Sequence, residues 1–230
     1  MADATPLAPL DDAPHDIEFF FDPACPFAWL TSRWVQRVVE LRGISVGWRF
    51  ISLAYINRDA ERSPAMRESH ERGLRFHRVC AAARQVAGND AVGRLYTAWG
   101  ERLWYPTPEA ADGFERMAKN VAAIDVPEIL EVVDLPVELV AAMDDDSHDA
   151  VLQLESDEAF RRTGPDVGTP IITYDPPHGN SLFGPVISAV PDDERAVAFY
   201  DALRVFVDFP EFSELKRTDR KPLDLPLFQD

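Results

Sequence analysis

The feature that most limits the fold is a cysteine between a short apolar run and a helical pattern. Residues 17–21 read IEFFF, which is typical of a buried strand. Cys25 and Pro26 follow, and a second strand pattern occupies residues 44–52. Between them, one helical face carries Leu30, Trp34, Val38 and Leu41. Strand, helix and strand in this order predict a right-handed βαβ unit with parallel strands.

The middle of the chain shows a different pattern. Residues 57–163 carry apolar side chains at helical spacing throughout, with no strand pattern between them. Strand signals return at residues 171–174 and 182–183, and the turn between them predicts a hairpin. A last helix is predicted over residues 192–207.

These elements predict an α/β fold with an all-helical insertion. The first and last parts of the chain together supply four strands and the helices that flank them. We expect a flexible N-terminal arm at residues 1–15 and a sheet domain made of residues 16–56 and 164–230. Residues 57–163 then form the inserted helical domain.

Composition and charge exclude several functions. A formal net charge of −17 disfavours nucleic acid as a partner, because an acidic surface repels phosphates. The sequence has no basic, apolar leader and no run approaching the roughly 18 apolar residues of a membrane span. We therefore expect a cytoplasmic protein with no membrane partner. The histidines and two cysteines show no metal-ligand spacing, so no metal is expected.

Cys25 has two interpretations on its position alone. It is either a small buried core residue or a nucleophile activated by the free N–H groups and dipole of a helix start. The second interpretation predicts a lowered thiol pKa, within roughly 3.5–7.5. Asp22, three residues earlier, would either tune that thiol and shuttle a proton or cap the turn. Cys80 lies on an apolar helical face and is expected in the core.

Four strings in order extend the argument to a family. They are FDPACPFAWLTSRW, VGTPIITY, LFGPVIS and FSELKRT. With CPFA after a strand and GTP before another, the chain resembles the thioredoxin superfamily. The helical insertion is similar to that of the DsbA-like branch, which includes kappa-class glutathione transferases and chromene-carboxylate isomerases. Within that branch the strings resemble the cytoplasmic mycothiol-dependent reductases.

The resemblance implies a thioredoxin-like fold and roles for particular residues. Cys25 matches the attacking cysteine of a C-P-x-C motif, and Pro170 matches the cis-proline beside that sulfur. The backbone of Thr169 would pair with a bound thiol or peptide. Lys216 and Arg217 would receive an acidic thiol, or else are solvated tail residues. The expected thiol-binding set is Pro26, Phe27, Thr169, Pro170, Gly184, Lys216 and Arg217.

Ala28 departs from the family pattern, which has a second cysteine there. Three solutions stay open: a small thiol resolves the mixed disulfide, Cys80 does so, or dithiol turnover is lost. The leading expectation is a monothiol oxidoreductase that uses a low-molecular-weight thiol, such as mycothiol, as co-substrate. It would act on disulfides or electrophiles, with no tightly bound cofactor and with a homodimer possible. The alternatives are a thiol-dependent transferase or isomerase, and a non-catalytic thiol-binding protein.

Overall fold

The computed structural model describes residue 10 and residues 14–229, apart from the side chain of Phe114. Four strands form one sheet in the order β2-β1-β3-β4. β1 pairs with β2 in parallel, and β3 pairs with both β1 and β4 in antiparallel fashion. The strands are β1 (Ile17–Phe21), β2 (Val46–Phe50), β3 (Ile171–Tyr174) and β4 (Ser181–Phe183). The predicted βαβ unit and hairpin are both confirmed.

Eight α-helices lie in the described residues, and six of them, α2 to α7, lie between β2 and β3. They are α1 (Pro26–Arg42), α2 (Leu53–Ile56), α3 (Pro64–Ala87), α4 (Asn89–Trp104), α5 (Gly113–Ala123), α6 (Val126–Val132), α7 (Asp149–Thr163) and α8 (Asp193–Val207). Short 3-10 turns cover Val137–Asp144, Asp146–His148 and Pro226–Phe228. Residues 57–163 contain no strand, as predicted. The division of the chain into domains stays a prediction.

The ends of α1 follow from local sequence. Cys25 is the N-cap residue, and Pro26 occupies the first turn, where its missing N–H costs nothing. At the other end Gly43 adopts a left-handed conformation with φ of 65° and donates its N–H to the Val39 carbonyl. β2 is shorter than the predicted 44–52, because Ser52 leaves the strand and caps α2.

The helical insertion shares its core with the sheet. Tyr96 of α4 stacks on Phe21 of β1 with ring centroids 4.1 Å apart. Elsewhere on α4, Gly100 lets the helix backbone approach Trp29 of α1 closely, since a Cβ at this position would lie 2.1 Å from the Trp29 ring. The insertion is therefore packed directly against β1 and α1.

Buried ion pairs join β1 and β2 to α7. Arg49 of β2 lies 2.6 Å from Glu18 and 3.1 Å from Glu155, and all three are at most 5% exposed. Arg162 also pairs with Glu18, at 2.7 Å. Each charge has an opposite charge beside it, which offsets the cost of burial.

The chain after α8 contacts first Ser188, which precedes α8, and then α5. The N–H of Asp224 donates to Ser188 at 2.7 Å. Leu225 and Leu227 are fully buried, and the Arg116 guanidinium donates to the carbonyl of Leu227 at 3.2 Å. The polar tail predicted from sequence is thus anchored at its far end by apolar side chains.

The predicted N-terminal arm lies mostly outside the described residues. Leu10 and His15 are described, and both contact the position where Gly47 of β2 would carry a Cβ. Across residues 14–229, no helix has the length and apolar character needed to cross a membrane.

Candidate active site

Cys25 sits at the start of α1 with its sulfur against two backbone groups. The N–H of Ala28 donates to Sγ at 3.4 Å, which is the bond of an N-cap residue. The thiol in turn donates to the carbonyl of Thr169, 3.6 Å from Sγ. Only 8% of the residue is exposed. The sulfur is therefore held between the first turn of α1 and the segment that leads into β3.

The peptide bond between Thr169 and Pro170 is cis, as the resemblance to the family implied. The Thr169 hydroxyl donates to the carbonyl of Phe20 at 3.3 Å, which ties this segment to β1. The same residue supplies the carbonyl beside Cys25. The structure thus brings the two separated motifs, CPFA and GTP, into direct contact.

The pKa of the Cys25 thiol contradicts the sequence prediction. Burial raises it to about 12, and the nearby Asp22 adds to the increase. The N–H groups of Ala28 and Phe27 act in the opposite direction, as expected at a helix start. The prediction of a lowered pKa is wrong for this arrangement, because removing the sulfur from water outweighs the helix. The neutral thiol is the form that can donate to Thr169.

Asp22 is a buried acid whose hydrogen bonds hold the loop of residues 22–25 in place. Its two oxygens accept the N–H groups of Ala24 and Leu53, each at 2.7 Å. The residue has no exposed surface, and this burial raises its pKa to about 7 despite both hydrogen bonds. The capping interpretation is therefore correct, and Asp22 is also a titratable group close to neutral pH. The tight fit extends to Gly73 of α3, where a Cβ would lie 2.8 Å from an Asp22 oxygen.

Cys80 belongs to the core, as predicted. It is 0% exposed within α3, and burial raises the pKa of its thiol well above the usual range. Both cysteines are free thiols. A buried, neutral thiol is a poor nucleophile.

The other predicted site residues divide into two groups. Pro26 and Phe27 are half-buried on the first turn of α1. Gly184 donates its N–H to the Pro170 carbonyl at 2.8 Å, and this hydrogen bond helps to fix the cis-proline segment. Lys216 and Arg217, by contrast, are exposed, and Lys216 lies 3.7 Å from Glu214. In the described residues, no hydrogen bond, ion pair or cation–π contact joins either of them to residues 22–25, the loop that carries Cys25.

Arg220 lies against the first turn of α1, a position that sequence reasoning missed. Its guanidinium carbon lies 5.3 Å from the centre of the Phe27 ring, within the range of a cation–π contact. Phe27 is only two residues from Cys25 on the same turn of helix. The signal in the sequence was the basic segment KRTDRK, but nothing in it marks which cation reaches α1.

A narrow cleft separates the Cys25 loop from the insertion. Pro23 and Ala24 form one wall, and side chains of α3, α4 and α5 form the other. Trp99 in this wall is 3% exposed, and its indole Nε1 has no hydrogen-bond partner in the described residues. The cleft is mostly apolar, and it lies next to the loop that carries the thiol. Residues 14–229 contain no cluster of three side chains that could ligate a metal ion.

Together the fold and the site define a DsbA-like thioredoxin-fold protein with one cysteine at the start of the first helix. A family model described as "Rv2466c-like: Mycothiol-dependent nitroreductase Rv2466c" matches residues 24–217. The chain belongs to this family. The resemblance seen in the sequence is confirmed.

The chain is also similar to individual proteins. "Uncharacterized protein Rv2286c" of Mycobacterium tuberculosis (strain ATCC 25618 / H37Rv) is 29% identical over 211 residues, which are 92% of this chain and 85% of the relative. A 2-hydroxychromene-2-carboxylate isomerase structure has a TM-score of 0.52 at 11% identity, covering 82% of this chain and 94% of the isomerase. This second likeness shows the shared fold. DsbA of Chlamydia trachomatis has a TM-score of 0.43 at 12% identity, with 84% and 88% covered.

Proposed function

We propose that the protein is a monothiol oxidoreductase that uses mycothiol, or a similar small thiol, to reduce disulfides or electrophilic substrates. One observation carries the proposal. The Cys25 sulfur lies at the start of α1 and 3.6 Å from the carbonyl before the cis-proline, and residue 28 is alanine. Membership of a family described as mycothiol-dependent supports the choice of thiol.

The proposed exchange with a disulfide has two balanced steps. The Cys25 thiolate attacks the mycothiol sulfur of a mixed disulfide, so a Cys25–mycothiol bond forms and the substrate leaves as a thiolate that takes up a proton. A second mycothiol, as thiolate, attacks the mycothiol sulfur of this adduct. Mycothiol disulfide forms and Cys25 is restored. In sum, the mycothiol from solution is oxidised from thiol to disulfide and the substrate sulfur is reduced from disulfide to thiol, while the mycothiol of the mixed disulfide stays at the disulfide level.

The backbone around Cys25 has a defined role in this scheme. The N–H of Ala28 stabilises negative charge on Sγ both before attack and when Cys25 leaves. The buried thiol has a pKa of about 12, so its sulfur must gain contact with solvent or substrate before it ionises. Asp22, with a pKa of about 7, is the nearby group able to take up the thiol proton near neutral pH. A reduced mycothiol pool is required, which is why a cytoplasmic location is part of the proposal.

A second candidate is a thiol-dependent transferase or isomerase. The raised pKa favours it, because a neutral Cys25 can donate a hydrogen bond to a bound thiolate without forming a covalent bond. Cys25 would then act as a serine hydroxyl does at the equivalent place in the transferase and isomerase branches.

Intact-mass spectrometry separates the two candidates. The protein is incubated with mycothiol disulfide or with glutathione disulfide, and the mass of one added thiol is sought. The monothiol mechanism predicts one adduct in wild type and in Cys80→Ser, none in Cys25→Ser, and release only when free thiol is added. Absence of any adduct on wild type contradicts this mechanism and leaves the non-covalent candidate. Spontaneous release that is lost in Cys80→Ser would make Cys80 the resolving thiol.

Substitution of Ala28 tests the missing resolver. Ala28→Cys places a second thiol one helical turn after Cys25, where the Ala28 N–H already contacts Sγ. We expect an internal disulfide under mild oxidant and release of the mixed disulfide without added thiol. Ala28→Ser is the matched control, since it adds a polar atom but no thiol.

A further inference from the structure

We propose that Arg220 is a binding residue for a carboxylate on the substrate that reacts at Cys25. The inference rests on the proposed function only in that Cys25 is the reacting group. It names the chemical class of the partner, a compound with a carboxylate close to its disulfide or electrophilic atom.

The first observation is the position of the guanidinium. Arg220 contacts the face of Phe27, and Phe27 is half-buried on the turn of α1 that begins at Cys25. The contact holds the cation at the site without neutralising it, since an aromatic ring carries no net charge. An arginine presents its N–H groups in a planar fork that matches a carboxylate.

The second observation is that this cation has no anionic partner. Within residues 14–229, no carboxylate lies in ion-pair distance of Arg220, whereas many arginines on other surfaces are paired. Arg37 with Asp193 at 2.6 Å and Arg75 with Asp144 at 2.9 Å are examples. Arg67, Arg94 and Arg217 are also exposed without an ion pair in the described residues, and Arg220 differs from them in its contact with the Phe27 ring.

The third observation is that the segment carrying Arg220 is attached on its C-terminal side. The Ser188 hydroxyl donates to the Lys221 carbonyl at 3.0 Å, directly after Arg220. Three residues further on, the Asp224 N–H donates to Ser188, and Leu225 is fully buried. Since these contacts begin one residue away, Arg220 is presented to α1 from an anchored backbone rather than from a free end.

The positive charge of the residues around Arg220 also favours an anionic ligand. Lys216, Arg217 and Lys221 lie within five residues of Arg220, and Asp219 is the one acid among residues 216–221. The lysines and Arg217 are exposed and attract anions at long range, and in the described residues none of the three makes a hydrogen bond, ion pair or cation–π contact with α1. Arg220 alone combines the charge with contact to the Cys25 turn.

Alkylation with two reagents that differ only in charge tests the inference. Iodoacetate and iodoacetamide have almost the same shape, so the ratio of their rate constants at Cys25 reports recognition of the carboxylate. Peptide mass mapping of the full-length protein follows Cys25 separately from Cys80. In Arg220→Gln we expect the iodoacetate-to-iodoacetamide ratio to fall about fivefold at low salt, as expected for loss of one exposed charge pair. The difference should shrink in high salt, because exposed charges are screened.

Arg195→Gln is the matched control. It removes one positive charge from an exposed site, where Arg195 lies 3.7 Å from Asp192 and the following residue, Asp193, pairs with Arg37. Arg37 is twelve residues along α1 from Cys25, or about 18 Å at 1.5 Å per residue. We expect this variant to keep the wild-type ratio. A ratio in Arg220→Gln equal to that of Arg195→Gln would overturn the inference.

The outcomes also separate this inference from the proposed function. If Cys25 forms mixed disulfides but the ratio does not depend on Arg220, the inference fails and the monothiol mechanism stands. If the ratio falls in Arg220→Gln and no mixed disulfide ever forms, Arg220 is a carboxylate-binding residue of a different reaction. Failure of Cys25 to alkylate with either reagent contradicts both.

Discussion

Asp22 and His77 are buried titratable groups whose contributions to the free energy of unfolding change with pH in opposite directions. Asp22 has its pKa raised to about 7 by burial, so the folded state keeps it protonated while the unfolded chain ionises near 3.8. His77 has its pKa lowered to about 3 by burial, so the folded state keeps it neutral while the unfolded chain binds a proton near 6.5. Each group therefore makes the free energy of unfolding depend on pH.

For Asp22 the stability falls as pH rises. The unfolded chain gains from ionisation above pH 3.8, and the folded protein follows only near pH 7. We expect Asp22→Asn, compared with wild type, to become relatively more stable by up to about 4 kcal/mol between pH 4 and pH 7, at about 1.4 kcal/mol per pKa unit. Urea unfolding across this range measures the difference. Asp59→Asn, at a side chain 93% exposed, is the control and should show almost no such trend. A constant difference between Asp22→Asn and wild type would contradict the prediction.

For His77 the stability falls as pH decreases. Its contribution is fully present above pH 6.5 and is lost as pH falls toward the folded pKa of about 3. His77→Gln keeps an N–H that can donate to the Phe21 carbonyl, which lies 3.0 Å from Nε2. We expect the variant to lose stability less steeply than wild type between pH 6.5 and 4, by up to about 3 kcal/mol. Equal slopes in the two proteins would show that the folded protein accommodates the charged ring.

At the scale of elements, the contact between α1 and α4 depends on Gly100. Alanine normally stabilises a helix by about 1 kcal/mol relative to glycine. Here the added Cβ would lie 2.1–2.5 Å from atoms of the Trp29 ring, which is 0% exposed and cannot move aside freely. We expect Gly100→Ala to lower the free energy of unfolding by about 1–3 kcal/mol.

The control for this substitution is Gly168→Ala, where the nearest atom outside the neighbouring residues is 3.9 Å away, on Phe183. Both variants add one methyl group, but only the methyl at position 100 clashes with a ring, and the helix propensity of alanine would by itself favour Gly100→Ala. Denaturant unfolding of the two proteins decides the matter: a Gly100→Ala protein as stable as wild type would show that α4 is free to shift away from α1.

At the scale of the whole molecule, buried ion pairs hold the insertion to the sheet. Glu155 of α7 pairs with Arg49 at 3.1 Å and with Arg84 at 2.9 Å, and it accepts the N–H of Phe50 at 2.7 Å. Glu155→Gln keeps the shape but leaves two arginines without this counter-charge. We expect a loss of about 3–5 kcal/mol, the usual cost of breaking a buried pair from one side.

The matched control is Glu40→Gln, which breaks an exposed pair with Arg37 and should cost at most about 1 kcal/mol. Thermal unfolding of both variants measures the contrast. If Glu155→Gln costs no more than Glu40→Gln, the cluster does not join the insertion to the sheet energetically.

The sequence by itself determined the order of the elements and the site at the start of α1. Apolar periodicity changes at known positions, and the caps of α1 are encoded by Cys25, Pro26 and Gly43 within a few residues. The partnership of Cys25 with Thr169 was also predictable, but only through resemblance to a family, since 144 residues separate them.

Only the tertiary structure decided the electrostatics of the site. A helix start lowers a thiol pKa, and that local rule failed for Cys25 because the fold removes its sulfur from water. Likewise, six residues of basic sequence did not show that Arg220, rather than Lys216 or Arg217, reaches Phe27. Local structure depends on neighbours along the chain, which a sequence displays, whereas burial and charge pairing depend on which distant segments meet in space.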